Sequence, residues 1–116
     1  MKLKFDSKSS IIVITPTLVG INGKRKKIDM ALDTGATYTM IPWDIAEVLG
    51  HAPELSKERM ELITASGVEK SPLITLNSLS ILNKKANDVK TIVHDLPPKS
   101  YVDGLLGLSF VTFSPP

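Results

Sequence analysis

Residues 28–41 read IDMALDTGATYTMI and constrain the fold of this chain more than any other stretch. The first five residues alternate between apolar and other side chains, which is the period-two pattern of a strand with one buried face. Asp33-Thr34-Gly35 then interrupts the pattern, and a second strand is predicted from Tyr38 to Ile41. Taken alone, the interruption is better explained as a turn, because Asp and Gly are common turn residues. The alternative is that the chain presents Asp33 for chemistry.

The rest of the chain also has a β pattern. Asn22-Gly23 predicts a turn, and the basic run Lys24–Lys27 is interpreted as a solvated hairpin tip. One helix is predicted at about 42–50, with Gly50 at its end and an exposed His51 beyond it. Further strands are predicted at 10–14, 17–21, 61–65, 68–76, 79–82 and 89–93, with a polar loop at 83–88, and the helix is expected to bury Ile41, Ile45, Val48 and Leu49. The sequence therefore predicts an all-β fold, a small closed β-barrel or sandwich with one short helix, as a single domain over residues 1–116.

Composition excludes several functional classes. The 116 residues carry a formal charge of +2, which is too small a bias to indicate nucleic acid or membrane binding. The absence of cysteine excludes a disulfide scaffold, thiolate zinc sites and a cysteine nucleophile. No apolar run approaches the ~18 residues of a membrane span. We expect a soluble protein, with the cytoplasm as the default location, and a targeting segment in a longer precursor stays open.

Three stretches in order carry a family resemblance. The first is Leu32-Asp33-Thr34-Gly35-Ala36, and the second is Leu105-Leu106-Gly107, a buried strand whose glycine allows another backbone to come close. Thr64-Ala65-Ser66-Gly67 lies between them. Together they resemble the retropepsin-like aspartic proteases, most closely the cellular and microbial members. The resemblance implies a single lobe, in which a psi-shaped support packs under the Asp-Thr-Gly loop and residues 64–67 form the substrate-covering flap.

The resemblance also implies a mechanism and a partner. Asp33 would be the catalytic residue of an aspartic endopeptidase, with Thr34 bonding across the paired site and Gly35 permitting the tight loop. Ala36 would leave room beside it. Peptide hydrolysis of this type uses one carboxylate as base and a second that stays protonated, without cofactor or metal. Because the motif occurs once, the second carboxylate must come from a homodimer partner. The substrate would be a protein or peptide lying extended in the cleft.

Other interpretations stay open at this stage. A catalytically weak or inactive retropepsin-fold module for dimerisation or peptide binding is one, because only residues 108–116 follow Gly107, where the family usually has a helix and often a final strand. A small β-barrel adaptor, in which Asp33-Thr34-Gly35 is merely a turn, is another. Asp103 is expected to be a surface or turn residue, Asp29 to be solvated or ion-paired, and Trp43 to be a packing residue.

Overall fold

The computed structural model describes residues 12–33, 35–64 and 67–107, and the described part contains nine strands and one α-helix. The strands form one curled half-barrel sheet, with β6 attached to it only through β7. The order across the sheet is β1-β4-β9-β5-β8-β7-β2-β3. The elements are β1 Val13–Ile14, β2 Thr17–Val19, β3 Arg25–Lys27, β4 Met30–Leu32, β5 Thr39–Ile41, α1 Trp43–Val48, β6 Arg59–Thr64, β7 Gly67–Ile81, β8 Lys84–Val93 and β9 Gly104–Leu106. The predicted all-β class with one short helix is confirmed.

Aliphatic side chains build the core. The fully buried large residues of the described ranges include Leu18, Met30, Leu76, Val89 and Leu106, each with no exposed surface. Trp43 is only partly buried and packs against the edge of this cluster, which confirms its predicted packing role. A chain with 5% aromatic residues has to fill its interior in this way.

The helix is slightly shorter than predicted, and three of the four residues expected to be buried, Ile41, Ile45 and Leu49, contribute to the core. It ends in a Schellman motif, in which Gly50 (φ 88°) donates to the Glu47 carbonyl and His51 donates to the Ala46 carbonyl. Val48, expected in the buried stripe, is 51% exposed, whereas Ala46 is fully buried. At about 100° per residue, Ala46 and Leu49 lie on one side of Ile45 and Val48 lies on the other, so the helix faces the core with its Ala46 side.

The predicted loop at 83–88 is wrong. Lys84–Val93 form β8, which pairs with β7 from Ile81↔Lys84 to Leu73↔Ile92, and only Leu82 and Asn83 make the turn. The polar residues of 84–88 lie on exposed positions of this strand, while Ala86 is fully buried. Asp88 has a left-handed φ of 55°. It lies between Ala86 and Val89, two buried residues that are three positions apart.

The Asn22-Gly23 turn is confirmed, with φ 58° and 78° at the two residues. The basic run after it is not only a hairpin tip. Arg25–Lys27 form the edge strand β3, paired with β2 on one side and exposed throughout. Charged residues on an edge strand oppose pairing with other chains, which gives this run a structural explanation.

Candidate active site

Asp33 lies where β4 ends, in a loop closed by short-range hydrogen bonds. Its Oδ1 accepts the backbone N–H of Gly35 at 3.0 Å, and its carbonyl accepts the N–H of Ala36 at 3.1 Å. The side chain of Asp33 is half-buried, Gly35 is exposed and Ala36 is half-buried. Thr34 lies outside the described residues. The loop therefore holds the carboxylate through one of its oxygens and leaves the side chain partly accessible to solvent.

Strand β9 passes directly beside this loop. It pairs in parallel with β4, with Leu32 opposite Leu106, and it meets β5 at Met40↔Leu105. The N–H of Asp33 donates to the carbonyl of Leu106 at 3.0 Å, which continues the ladder into the loop. The three predicted support residues, Leu105, Leu106 and Gly107, thus lie between the two strands that flank Asp33-Thr34-Gly35.

Close backbone approach explains the glycines around β9. A Cβ on Gly107 would lie 2.3 Å from the carbonyl oxygen of Tyr38 and 2.9 Å from that of Ala36. A Cβ on Gly104 would lie 2.5 Å from the carbonyl oxygen of Met40. No side chain fits at these distances, so the prediction that glycine permits a close backbone approach is confirmed.

Gly35 shows no close approach of the kind found at Gly104 and Gly107. An added Cβ would lie 3.4 Å from Asp33 Oδ1, an ordinary contact. Its expected part in permitting the tight loop stays a prediction, because Thr34 lies outside the described residues. The Gly35 N–H does reach the carboxylate, as predicted, and that contact is a property of the backbone.

Thr39 is a site neighbour that the sequence did not reveal. Its Oγ1 accepts the N–H of Gly107 at 3.2 Å, and the residue is fully buried. The hydroxyl therefore joins the start of β5 to the end of β9 directly behind the Asp33 loop. Threonine is an ordinary strand residue, so no sequence signal distinguishes it from any other buried strand position.

The predicted flap region is an antiparallel hairpin of β6 and the first part of β7. Its register runs from Arg59↔Pro72 to Thr64↔Gly67, and Ala65 and Ser66 lie outside the described residues. Gly67 has φ 125°, a conformation that favours glycine. Near the end of the hairpin, the opposed residues Ile63 and Val68 are 88% and 64% exposed. The hairpin thus presents an apolar pair to the surroundings.

The two other acids near the motifs have structural contacts. The N–H of Asp29 donates to Asp103 Oδ2 at 3.2 Å, and the N–H of Asp103 donates to the Asp29 carbonyl at 2.7 Å. Thr15 Oγ1 donates to Asp29 Oδ1 at 2.8 Å. Both acids are exposed, as expected. Their hydrogen bonds fix the entry into β9 at the end opposite the Asp33 loop.

An open cleft of about 530 Å³ also lies at that opposite end. It is bordered by the start of α1 and by the segment before β9, and its lining includes Trp43, Asp44, Asp95 and Asp103. Asp95 Oδ1 accepts the N–H of Trp43 at 3.0 Å and so caps the helix across 52 positions of sequence. Neither Asp33 nor the β6/β7 hairpin contributes to the lining.

His51 also differs from expectation. His51, predicted as exposed, is half-buried, and its Nε2 is a buried atom without a hydrogen-bond partner among the described residues. Burial lowers the pKa of His51. His94 lies after β8, with Nδ1 at 3.1 Å from Ser71 Oγ.

In the described ranges no group of three or more His, Asp or Glu side chains is arranged to hold a metal ion. None of the described helices is long and apolar enough to cross a membrane.

The strand that ends in an Asp-Thr-Gly loop, with a Leu-Leu-Gly strand inserted beside it, defines the retropepsin-like aspartic protease fold. Solved structures with this fold resemble the chain along most of its length. A retropepsin-like aspartic protease from Rickettsia conorii matches with a TM-score of 0.62 and 24% identity, covering 93% of this chain and 74% of that one. The simian foamy virus protease in solution matches with a TM-score of 0.55 and 21% identity, covering 87% of this chain and 92% of that one.

The family model "gag-polyprotein putative aspartyl protease" matches residues 17–112. The chain therefore belongs to this family of aspartic proteases. No curated protein sequence matches it.

Proposed function

We propose that this protein is an aspartic endopeptidase whose active site forms from two copies of the chain, each contributing Asp33. The observation that supports this best is the placement of Asp33 beside β9, in a chain that belongs to a family of aspartic proteases. The carboxylate is half-buried and is held through the Gly35 N–H, while its backbone N–H is bonded to Leu106. An ordinary surface turn does not need a buried strand inserted behind it.

The chemistry follows from two carboxyl groups sharing one site. Like charges a few ångströms apart cannot both ionise cheaply, so one carboxyl keeps its proton while the other is charged. The charged group removes a proton from water, the water oxygen attacks the scissile carbonyl, and the protonated group donates its proton to the carbonyl oxygen. The tetrahedral intermediate then loses its C–N bond. The amine leaves with the proton taken from water, the second carboxylate takes a proton back from a hydroxyl of the intermediate, and the pair returns to its starting state. One chain supplies only one Asp33, so the reaction requires a homodimer with a two-fold axis between the two loops.

The remaining predicted residues have supporting roles in this proposal. Thr34 hydrogen-bonds across the paired site and holds the two loops together, Gly35 permits the tight loop and positions the carboxylate through its N–H, and Ala36 leaves space beside them. Leu105, Leu106 and Gly107 fix the loop from behind. The hairpin around Thr64, Ala65, Ser66 and Gly67 acts as the flap over an extended peptide substrate, in which backbone pairing gives affinity and side-chain pockets give specificity. In this proposal residues 1–116 form a single domain, and the reaction uses no cofactor.

The test compares Asp33→Asn with wild type on an unfolded protein or peptide library at mildly acidic pH. Asp88→Asn is the matched control, because it makes the same chemical change at an exposed position where the left-handed backbone also suits Asn. We expect Asp33→Asn to lower the cleavage rate by roughly 10²–10⁴-fold, the usual contribution of a general acid–base group, and Asp88→Asn to leave it unchanged. Equal cleavage by wild type and Asp33→Asn would refute the proposal and favour a non-catalytic peptide-binding module.

A further inference from the structure

The β6/β7 hairpin joins the body of the sheet at a defined point. From Leu73 to Ile81, β7 is paired with β8, whereas from Gly67 to Pro72 it is paired with β6 alone. The segment around Ser71 is therefore the base of the hairpin, where β7 leaves the sheet. Contacts made there decide how firmly the hairpin is held against the body.

His94 connects the body to this base. It follows β8 directly, and its N–H donates to the Ile41 carbonyl at 2.9 Å, so its backbone is anchored to β5. Its side-chain Nδ1 lies 3.1 Å from Ser71 Oγ and 3.8 Å from Glu69 Oε1, both on the hairpin part of β7. Ser71 is 4% exposed, whereas the side chains of His94 and Glu69 are 26% and 49% exposed.

The strength of this connection depends on the charge of the imidazole. In neutral His94 the single Nδ1 atom either accepts the Ser71 hydroxyl proton or donates its own, and Glu69 gains no attraction from a charge. In protonated His94, Nδ1 always carries a proton, and the positive charge attracts the Glu69 carboxylate. Histidine is the side chain that ordinarily changes charge between about pH 5 and pH 8.

We propose that His94 is a positioning residue that holds the β6/β7 hairpin to the body more tightly when it is protonated. The proposal rests on the proposed function only in so far as the hairpin is the flap that covers substrate. In that case mild acid tightens the flap. Substrate affinity then rises as the pH falls through the histidine range.

Other charges around the base are paired differently. Lys90 on β8 contacts Glu58, just before β6, with Nζ 3.6 Å from Oε1, and this pair contains no histidine. On the α1 side, Asp44 and Asp95 line the neighbouring cleft, and Asp95 is already bonded to the Trp43 N–H. The Lys90–Glu58 pair thus provides a matched control, an ion pair at the same base without a histidine.

The primary experiment is amide hydrogen exchange by NMR for residues 61–63 and 68–70, at about pH 5.5 and about pH 7.5. Rates are corrected for the intrinsic effect of pH, and sedimentation checks that the oligomeric state is the same at both values. We expect protection in wild type to be about two- to fivefold greater at the lower pH, the range for a partly exposed ion pair. His94→Gln and Glu69→Gln should remove this difference, and Lys90→Gln should keep it while lowering protection at both pH values.

The proposal would be overturned if the pH difference in amide protection persisted in both His94→Gln and Glu69→Gln. It would also be overturned if wild type showed no such difference. Glu69→Gln is an exposed, isosteric change and keeps the test decisive if His94→Gln fails to fold. A second arm measures peptide cleavage, in which His94→Gln should flatten the pH dependence of KM while leaving kcat nearly unchanged. If no peptide is cleaved, the proposed function fails, while hydrogen exchange still decides the role of His94.

Discussion

The position of Gly107 gives the sharpest test of the architecture around Asp33. An added Cβ would lie 2.3 Å from the Tyr38 carbonyl oxygen, about 1 Å inside the 3.4 Å at which ordinary contacts begin. The obstructing atoms are backbone, so β5 or β9 has to move. Overpacking of this kind typically costs about 1–3 kcal/mol. The displacement also strains two hydrogen bonds, Gly107 N–H to Thr39 and Asp33 N–H to Leu106, each contributing about 1 kcal/mol.

We therefore expect Gly107→Ala to lower the free energy of unfolding by at least about 3 kcal/mol, a large part of the ~5–15 kcal/mol of a typical domain. Gly23→Ala is the control, because Gly23 has φ 78° and no atom within 4 Å of an added Cβ. It should cost only about 1 kcal/mol, from backbone strain. The assay is urea unfolding followed by circular dichroism at one fixed protein concentration, since dimerisation would make stability depend on concentration. A Gly107→Ala variant within about 1 kcal/mol of wild type would refute the close packing of β9 against β5.

Two further predictions concern residues away from the candidate site. Burial lowers the pKa of His51 from the ordinary 6.5. The unfolded chain therefore takes up a proton first, and stability is lost as pH falls below 6.5 towards the lowered value. His51→Gln should lose less unfolding free energy than wild type between about pH 7.5 and pH 5, and an identical loss in urea titrations would contradict this. Leu82 is 97% exposed with φ 51°. Leu82→Asn should raise the unfolding free energy by about 0.5–1 kcal/mol, because Asn tolerates the left-handed region, and an unchanged urea midpoint would argue against strain there.

Local patterns predicted the parts of the fold that depend on local chemistry. The Asn22-Gly23 turn and the Gly50 helix end were both predictable, because a left-handed residue leaves a signature in the sequence. The strand at 84–88 was not predictable, because its charged residues are typical of a loop. In the structure they occupy the exposed positions of a strand that is held by pairing with β7. Tertiary pairing overrides local propensity in such a case.

The candidate site was likewise predictable only in part. Asp33 and Leu105-Leu106-Gly107 were identified through a family resemblance, and the structure brings the two stretches together as expected. Thr39 behind the loop was not identifiable, because its role depends on which strand lies next to β5. The same holds for His94 and Ser71, which are 23 positions apart in sequence and meet only because β7 and β8 are neighbours.

The proposed active site needs Asp33 from two chains, and mixing subunits is the sharpest test of this requirement. Wild type and Asp33→Asn are mixed in equal amounts at constant total concentration, allowed to exchange, and assayed on a peptide substrate. If the site is shared, random pairing leaves about a quarter of the dimers with two intact carboxylates, so activity falls to about a quarter of the all-wild-type value. Activity of about one half would mean that each chain acts alone, and it would contradict a shared active site.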